Sequence, residues 1–349
     1  MRLAIDVMGG DHAPDAILAG CIDALAHLKA DDRLILVGDE AVIRETLCER
    51  SAPSDRIEIV HAPQVIGMHE PPARAVRAKP DSSIVELARL GSPRGGQVAD
   101  AVLSAGNTGA CVSAAIMHMK RLPQVHRPGI AVTIPAFHGP VVLCDAGANP
   151  EPRATHLWQY GVMAETYARR VLGIERPRVA QMNIGSEEAK GTGIIKQTRD
   201  LLRATPDLNY IGYIEGRDFF DGAADVVVTD GFVGNTVLKM AEGLAKSLFN
   251  AIAHEIFAID PELALKFEPV VKQIYAKNDY HEHGGAPLLG VNGAFFIAHG
   301  SSQSRTICAA IRNALEYISA HVNEAVVARL AEVAPVEEEL HAAHEGEPA

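Results

Sequence analysis

Short apolar runs separated by helix-spaced stretches limit what this chain can become. Leu3–Val7, Leu34–Val37, Ile57–Val60, Ile130–Ile134, Val141–Cys144, Val179–Met182, Tyr210–Ile214 and Val226–Val228 have strand length and composition. Amphipathic helical spacing lies between them, as in Ile17, Cys21, Leu25 and Leu28. Such alternation implies an α/β fold with a mostly parallel sheet and helices on both faces. Ligands of these sheets sit at the carboxyl ends of the strands. No internal repeat or low-complexity linker divides the chain. The expectation is one α/β unit over residues 1–330, followed by an acidic tail over 331–349.

The predicted strand ends are rich in Gly, Asn and Asp. The stretch Ala99–Ala114 is the clearest case: an apolar run breaks at Ser104-Ala105-Gly106-Asn107-Thr108-Gly109, and helical spacing resumes at Val112, Ala115, Ile116 and Met119. A turn of that kind aims backbone N–H groups and the positive end of a helix at one point. Similar clusters follow at Gly9–Asp11, Asp145–Asn149, Asn183–Gly191 and Asp230–Asn235, and late in the chain at Gly284–Gly293 and His299–Ser302. One cluster alone is turn chemistry. Several at one sheet edge describe a site that grips a small oxygenated anion through neutral donors, and phosphate fits best.

Composition removes several classes of function. Lys and Arg number 32 against 44 Asp and Glu, a net charge of −12, which disfavours general nucleic-acid binding. Half of that excess follows Leu330, at Glu332, Glu337, Glu338, Glu339, Glu345 and Glu347, and this tail is expected to be frayed. The five cysteines are scattered with no Cys-x-x-Cys pair, which points to a reducing cytoplasm and away from zinc or disulfides. Asp6 precedes any signal-peptide core, and no apolar run reaches spanning length.

The first strand-to-helix turn lacks Gly-x-Gly-x-x-Gly, and the phosphate-binding Gly-x-x-x-x-Gly-Lys-Ser/Thr motif and the Gly-x-Ser-x-Gly elbow are both absent. Cys111 falls at a packing position, and His281-Glu282-His283 reads as a solvated turn rather than a metal site. From 233 to 277 the pattern changes to a helical hairpin. Leu238, Ala241, Ala245, Leu248, Ile252 and Ile256 form a seam, and Phe257-Ala258-Ile259-Asp260-Pro261 a corner. Such a hairpin packs either on its own domain or as a dimer seam whose tip touches a membrane.

As an ordered set, these motifs resemble the bacterial phosphate acyltransferases of phospholipid synthesis. The matching pieces are Ile5–Pro14, Asp81-Ser82-Ser83, Ser104–Ala110, Asp145–Asn149, Asn183–Gly191, Glu215–Asp218, Asp230–Asn235 with Leu238-Lys239, Gly284–Gly293 and His299–Ser302. The resemblance implies a three-layer αβα sandwich like that of phosphotransacetylases and isocitrate/isopropylmalate dehydrogenases. It also implies a homodimer with reversible membrane contact, serving a downstream glycerol-3-phosphate acyltransferase.

The implied reaction moves a long-chain acyl group from acyl-carrier protein to inorganic phosphate, with no cofactor and no metal. In that reading Ser104, Gly106, Asn107, Thr108 and Gly109 hold phosphate with Asp145, Asn149, Asn183, Gly185, Asn235 and Asn292. Lys190, Lys239, His299 and Asn107 carry the chemistry, the lysines as charge stabilisers and His299 as proton donor to the leaving sulfur. Asp6, Asp11 and Asp145 orient the donors. Arg305 and Arg312, with Lys266, Lys272 and Lys277, are candidates for carrier-protein contact. The alternative donor is a short-chain acyl-CoA, as in phosphotransacylases. A metal-dependent dehydrogenase and a non-catalytic scaffold rank below both. Ala78 and Pro80 interrupt the family's basic run before Asp81, leaving Arg74, Arg77 and Lys79.

Overall fold

The computed structural model describes residues 1–345 apart from 53–54, 97, 137, 261–262, 264 and 271–283. His281–His283, Lys272, Lys277 and the end of the expected hairpin lie outside the described residues. The strands are β1 (Arg2–Asp6), β2 (Arg33–Gly38), β3 (Ile57–His61), β4 (Ala101–Ser104), β5 (Gly129–Ala136), β6 (Gly139–Cys144), β7 (Val179–Met182), β8 (Tyr210–Ile214), β9 (Val226–Val228), β10 (Ala286–Leu289) and β11 (Ala294–Ile297). They form one sheet in the order β3-β2-β1-β4-β11-β10-β5-β6-β9-β7-β8. The helices are α1 (Asp15–Ala24), α2 (Glu40–Glu49), α3 (Pro72–Ala78), α4 (Ser83–Leu90), α5 (Thr108–Ala114), α6 (Ala154–Val171), α7 (Gly193–Ala204), α8 (Gly231–Ile259), α9 (Ser304–Ser319) and α10 (Val322–Glu345).

The sheet is parallel in two blocks that run in opposite directions. β3, β2, β1, β4 and β11 share one direction, and β6, β9, β7 and β8 share the other. Antiparallel pairings of β11 with β10, β10 with β5 and β5 with β6 make the change between them. The expected single edge of strand ends is therefore corrected to two sets of ends that approach the centre from opposite sides.

A second correction concerns Gly284–Gly293, expected as one loop. Ala286–Leu289 within it is β10, with Leu288 and Leu289 fully buried. A four-residue run between glycines, with Pro287 inside, is too short for periodicity to register.

Cores lie on both faces of the sheet. On one, Trp158, Tyr160, Val162 and Met163 of α6 pack with Leu3, Ile5, Leu36 and Phe296. On the other, Ile84, Val85 and Leu87 of α4 and Cys111 and Val112 of α5 pack with Ile35, Val37 and Val102. The tail expected to fray continues instead as α10, because Val322, Val326, Leu330, Val333 and Val336 form a buried stripe.

Trp158 ties α6 to the end of α7, its Nε1 donating to Thr205 Oγ1 at 2.8 Å in a buried setting. Trp158→Phe removes that donor and part of the ring volume. The expected loss of unfolding free energy is about 2 kcal/mol, read from the midpoint of a urea titration.

Candidate active site

The loop after β4 is built from buried polar groups that satisfy one another. Ser104 Oγ donates to Asp6 Oδ2 at 2.7 Å and accepts from Gly106 N at 3.0 Å. Asp6 is fully buried; burial pushes its carboxyl up, against the pull of Ser104, Ser83 and the Met8 and Gly9 N–H groups. Asn107 Oδ1 caps α5 by accepting from Ala110 N. Its Nδ2 donates to the carbonyls of Gly67, Met68 and Glu70 at 3.1–3.2 Å. Asn107 is thus a clamp between α5 and the 67–70 loop. A Cβ on Gly109 would stand 2.5 Å from Pro72, so this glycine permits close packing of α3. Ser104, Gly106, Asn107 and Gly109, expected as phosphate contacts or catalysts, shape the loop. Thr108 alone of this group borders the cavity described below.

The loop after β6 is organised by Asp145, which is fully buried. Its Oδ1 accepts from the N–H groups of Ile130, Gly147 and Ala148, and its Oδ2 from Asn149 N at 2.7 Å. Burial pushes this carboxyl up, and the four N–H groups pull the other way. Asn149 Nδ2 donates to the Pro128 carbonyl and the Tyr160 hydroxyl, both at 2.7 Å. Asn149 therefore anchors the loop.

Against this loop stands the amino end of α8. Asp230 caps it through Phe232 N and Val233 N, and Gly234 lies so close that a Cβ would meet the Asp145 carbonyl oxygen at 1.9 Å. That contact delivers Asn235 beside Gly147. Lys239, one turn later on the same face, reaches His299 beyond β11, with Nζ 2.9 Å from Nε2. His299 Nδ1 is 2.7 Å from Ser301 Oγ. The Ser301 N–H also lies against Nδ1, at 3.3 Å. Asp11 N donates to the Gly300 carbonyl and joins the β1 loop to this group.

A cavity of about 440 Å³ lies where these loops meet. Asp11, Thr108, Gly147, Asn235, Lys239 and His299 supply its polar rim, while Ile130, Val132 and Leu238 belong to an apolar wall. Sequence reasoning missed Met68 and Glu242 in this lining. Glu242 had a usable signal, since it follows Lys239 by three positions on an α8 face already singled out. Met68 had none, because its loop is held here by contacts distant in sequence, those of Asn107 among them.

Other expected residues fall elsewhere. Asn292 sits in the β10–β11 turn, donating from its backbone to the Lys120 carbonyl, and lines a separate cavity with Asp100 and Tyr317. This placement follows from β10, which carries that turn to the far end of β11. Asn183, Gly185 and Lys190 form the loop after β7, outside the cavity lining: Asn183 Nδ2 donates to the Gly185 carbonyl, and Lys190 Nζ pairs with Glu187 at 3.2 Å. Burial pushes the Cys111 thiol up to about 12. Among the described residues no group of three His, Cys, Asp or Glu gathers to hold a metal.

Comparison with known proteins now decides the family. A family described as "Fatty acid synthesis protein" matches residues 1–325. A protein named phosphate acyltransferase from Desulfitobacterium hafniense is 46% identical over 321 residues, covering 91% of this chain and 94% of the relative. The chain belongs to the phosphate acyltransferase family. Another phosphate acyltransferase, from Dictyoglomus turgidum, is 39% identical over 330 residues, 94% of this chain and 97% of that one. Solved structures share the fold at low identity. A phosphotransacetylase from Streptococcus pyogenes has a TM-score of 0.57 at 17% identity, covering 91% of this chain and 94% of its own. A EutD phosphotransacetylase from Staphylococcus aureus has 0.54 at 15%, covering 93% and 94%. This acyltransferase is thus a three-layer α/β enzyme.

The site separates residues that hold shape from residues that face the cavity. Asn107→Ala, which removes a helix cap and the clamp on the 67–70 loop, lowers unfolding free energy by about 2 kcal/mol. Asn235→Ala, on an exposed side chain, changes it by less than about 0.5 kcal/mol. Urea titrations of the two variants check the contrast.

Proposed function

We propose that this phosphate acyltransferase transfers a long-chain acyl group from acyl-carrier protein to inorganic phosphate within the cavity between α5, α8 and His299. The observation that carries the reading is the joining of neutral donors, one lysine–histidine pair and an apolar wall around one space. Dianionic phosphate is its own nucleophile, so the enzyme needs to position it against the thioester and neutralise developing charge. Asp11 and Glu242 repel an anion, which assigns phosphate to the arc of Thr108, Gly147 and Asn235. The acyl chain then lies along Ile130, Val132 and Leu238.

A phosphate oxygen attacks the thioester carbonyl carbon, and a C–O bond forms. The tetrahedral oxyanion is held by Lys239. Collapse breaks the C–S bond, and the proton of the attacking hydrogen phosphate passes by way of the His299 ring to the thiolate. Products are acyl phosphate and the free carrier thiol, with atoms and charge balanced. Lys190 stands one strand along from β9, exposed and, among the described residues, in a surface ion pair with Glu187. Pairs of that kind contribute little, and its four-carbon stem is free to swing toward Asn235 as a second cation.

The rest of the molecule suits delivery of a lipid precursor. Met240, Leu244, Leu248 and Ile252 make an exposed apolar face on α8, and Phe257 and Ile259 an exposed apolar end. We assign the face to a homodimer seam and the end to reversible contact with a bilayer, near a downstream glycerol-3-phosphate acyltransferase. Among the described residues no helix is long and apolar enough to cross a membrane.

Incubating the purified protein with palmitoyl-carrier protein and phosphate, then trapping with hydroxylamine, is expected to give palmitoyl hydroxamate only when phosphate is present. Lys239→Ala lowers kcat/KM by at least a hundredfold and Lys190→Ala by about tenfold. Acetyl-CoA turned over faster than the palmitoyl donor would move the reading to a short-chain phosphotransacylase. Full activity in Lys239→Ala would remove the proposed charge stabiliser.

A further inference from the structure

In a chain of net charge −12, one surface gathers cations away from the cavity. Lys120 and Arg121 follow the helical segment that runs from Thr108 to Met119, and His126 and Arg127 lie in the loop leading into β5. Arg153 precedes α6, and Arg94 faces Lys120, Arg121 and His126 across a groove of about 570 Å³. Arg94, Arg121, Arg127 and Arg153 are exposed and Lys120 is half-buried. None of these lysine and arginine side chains has a carboxylate partner among the described residues. Glu86, a carboxylate that acts on nearby His118, is engaged by Arg89 at 3.2 Å.

The loop is held in place rather than loose. His126 N donates to Gln159 Oε1, Gln159 Nε2 donates to the Gln124 carbonyl, and Arg121 donates to the His126 carbonyl. The rings of His126 and His156 stand 6.1 Å apart. Burial, and then the positive charges of His126, Arg127, Arg153 and Arg121, push His156 down to about 4. The charged groups among these causes are all positive, and a positive surface steers acidic partners.

The ledge is also close to the chemistry. Lys120 caps the helical segment whose first residue, Thr108, borders the cavity. Arg127 is followed by Pro128, whose carbonyl holds Asn149, and by Ile130 in the cavity wall. We propose that Lys120, Arg121, His126, Arg127 and Arg153, with Arg94 opposite, form the docking surface for the acidic carrier protein whose acyl thioester enters the cavity. The proposal rests on the acyl-carrier reading above and names where that partner sits. An anionic membrane is the poorer occupant, because no large exposed apolar side chain lies between Ile116 and Pro128, whereas several lie on α8. Arg305 and Arg312, expected as carrier contacts, make other interactions in the structure.

The test is the full-length Lys120→Glu, Arg127→Glu double variant, assayed with palmitoyl-carrier protein and with palmitoyl-pantetheine across a salt series. The expected result is a KM for the carrier substrate raised at least tenfold with kcat within twofold. The KM for palmitoyl-pantetheine changes less than twofold, and the salt dependence seen with the carrier flattens. An unchanged carrier KM overturns the docking surface, as does equal damage to both donors. Loss of binding to phosphatidylglycerol vesicles with carrier kinetics intact also overturns it, in favour of a membrane. A wild-type protein that makes acyl phosphate from neither donor overturns the functional reading and this docking with it, a result distinct from any failure confined to the variant.

Discussion

The buried carboxylate of Asp145 is the contact on which the site depends. It draws four backbone N–H groups onto one side chain and so fixes the loop after β6. The carbonyl of the same residue forms the floor on which Gly234, and with it the amino end of α8, is seated. No other residue type fits that closely at 234, because any Cβ would overlap the oxygen. Once α8 is seated, helical geometry alone places Asn235, Lys239 and Glu242 on one line facing β11. The long helix is thereby an arm whose angle is set at its first turn.

Opposite this arm, the β1, β4 and β11 loops are joined by a similar economy of polar contacts. Asp6 and Ser104 link β1 to β4, Asn107 holds the 67–70 loop, and Asp11 is tied to Gly300. The two halves converge because the sheet reverses direction at β10, β5 and β6, placing a shallow apolar floor between two sets of strand ends. The buried carboxylates and amides position backbone, and the few polar groups left facing the cavity are free for chemistry. Lys239 and His299 are the clearest pair: sixty positions apart in sequence, they meet only because both lobes are anchored.

Much of the architecture was legible in the chain. Val179–Met182, Tyr210–Ile214 and Val226–Val228 are strands with the expected ends, since β-branched and aromatic runs bounded by turn residues leave little choice. The glycine-rich junctions are strand ends for the same reason. The sequence did not reveal which side of each junction faces a ligand. Asn107, Asn149 and Asn235 look alike as letters in polar turns, yet two are consumed by backbone carbonyls and one stands open. That distinction is made by partners distant in sequence, such as Met68 and Pro128, and local pattern cannot see them. Asn292 stands apart from the cavity for a related reason: the four residues of β10 invert the chain before it.

A structure of the protein with phosphate bound locates the anion. It is expected within hydrogen-bonding distance of Asn235 and Lys239 and against the Thr108 end of α5, with Asn107 and Asn149 still holding their carbonyls. Phosphate found instead beside Asn292, or held by Asn107 and Asn149 after those bonds break, would contradict this placement.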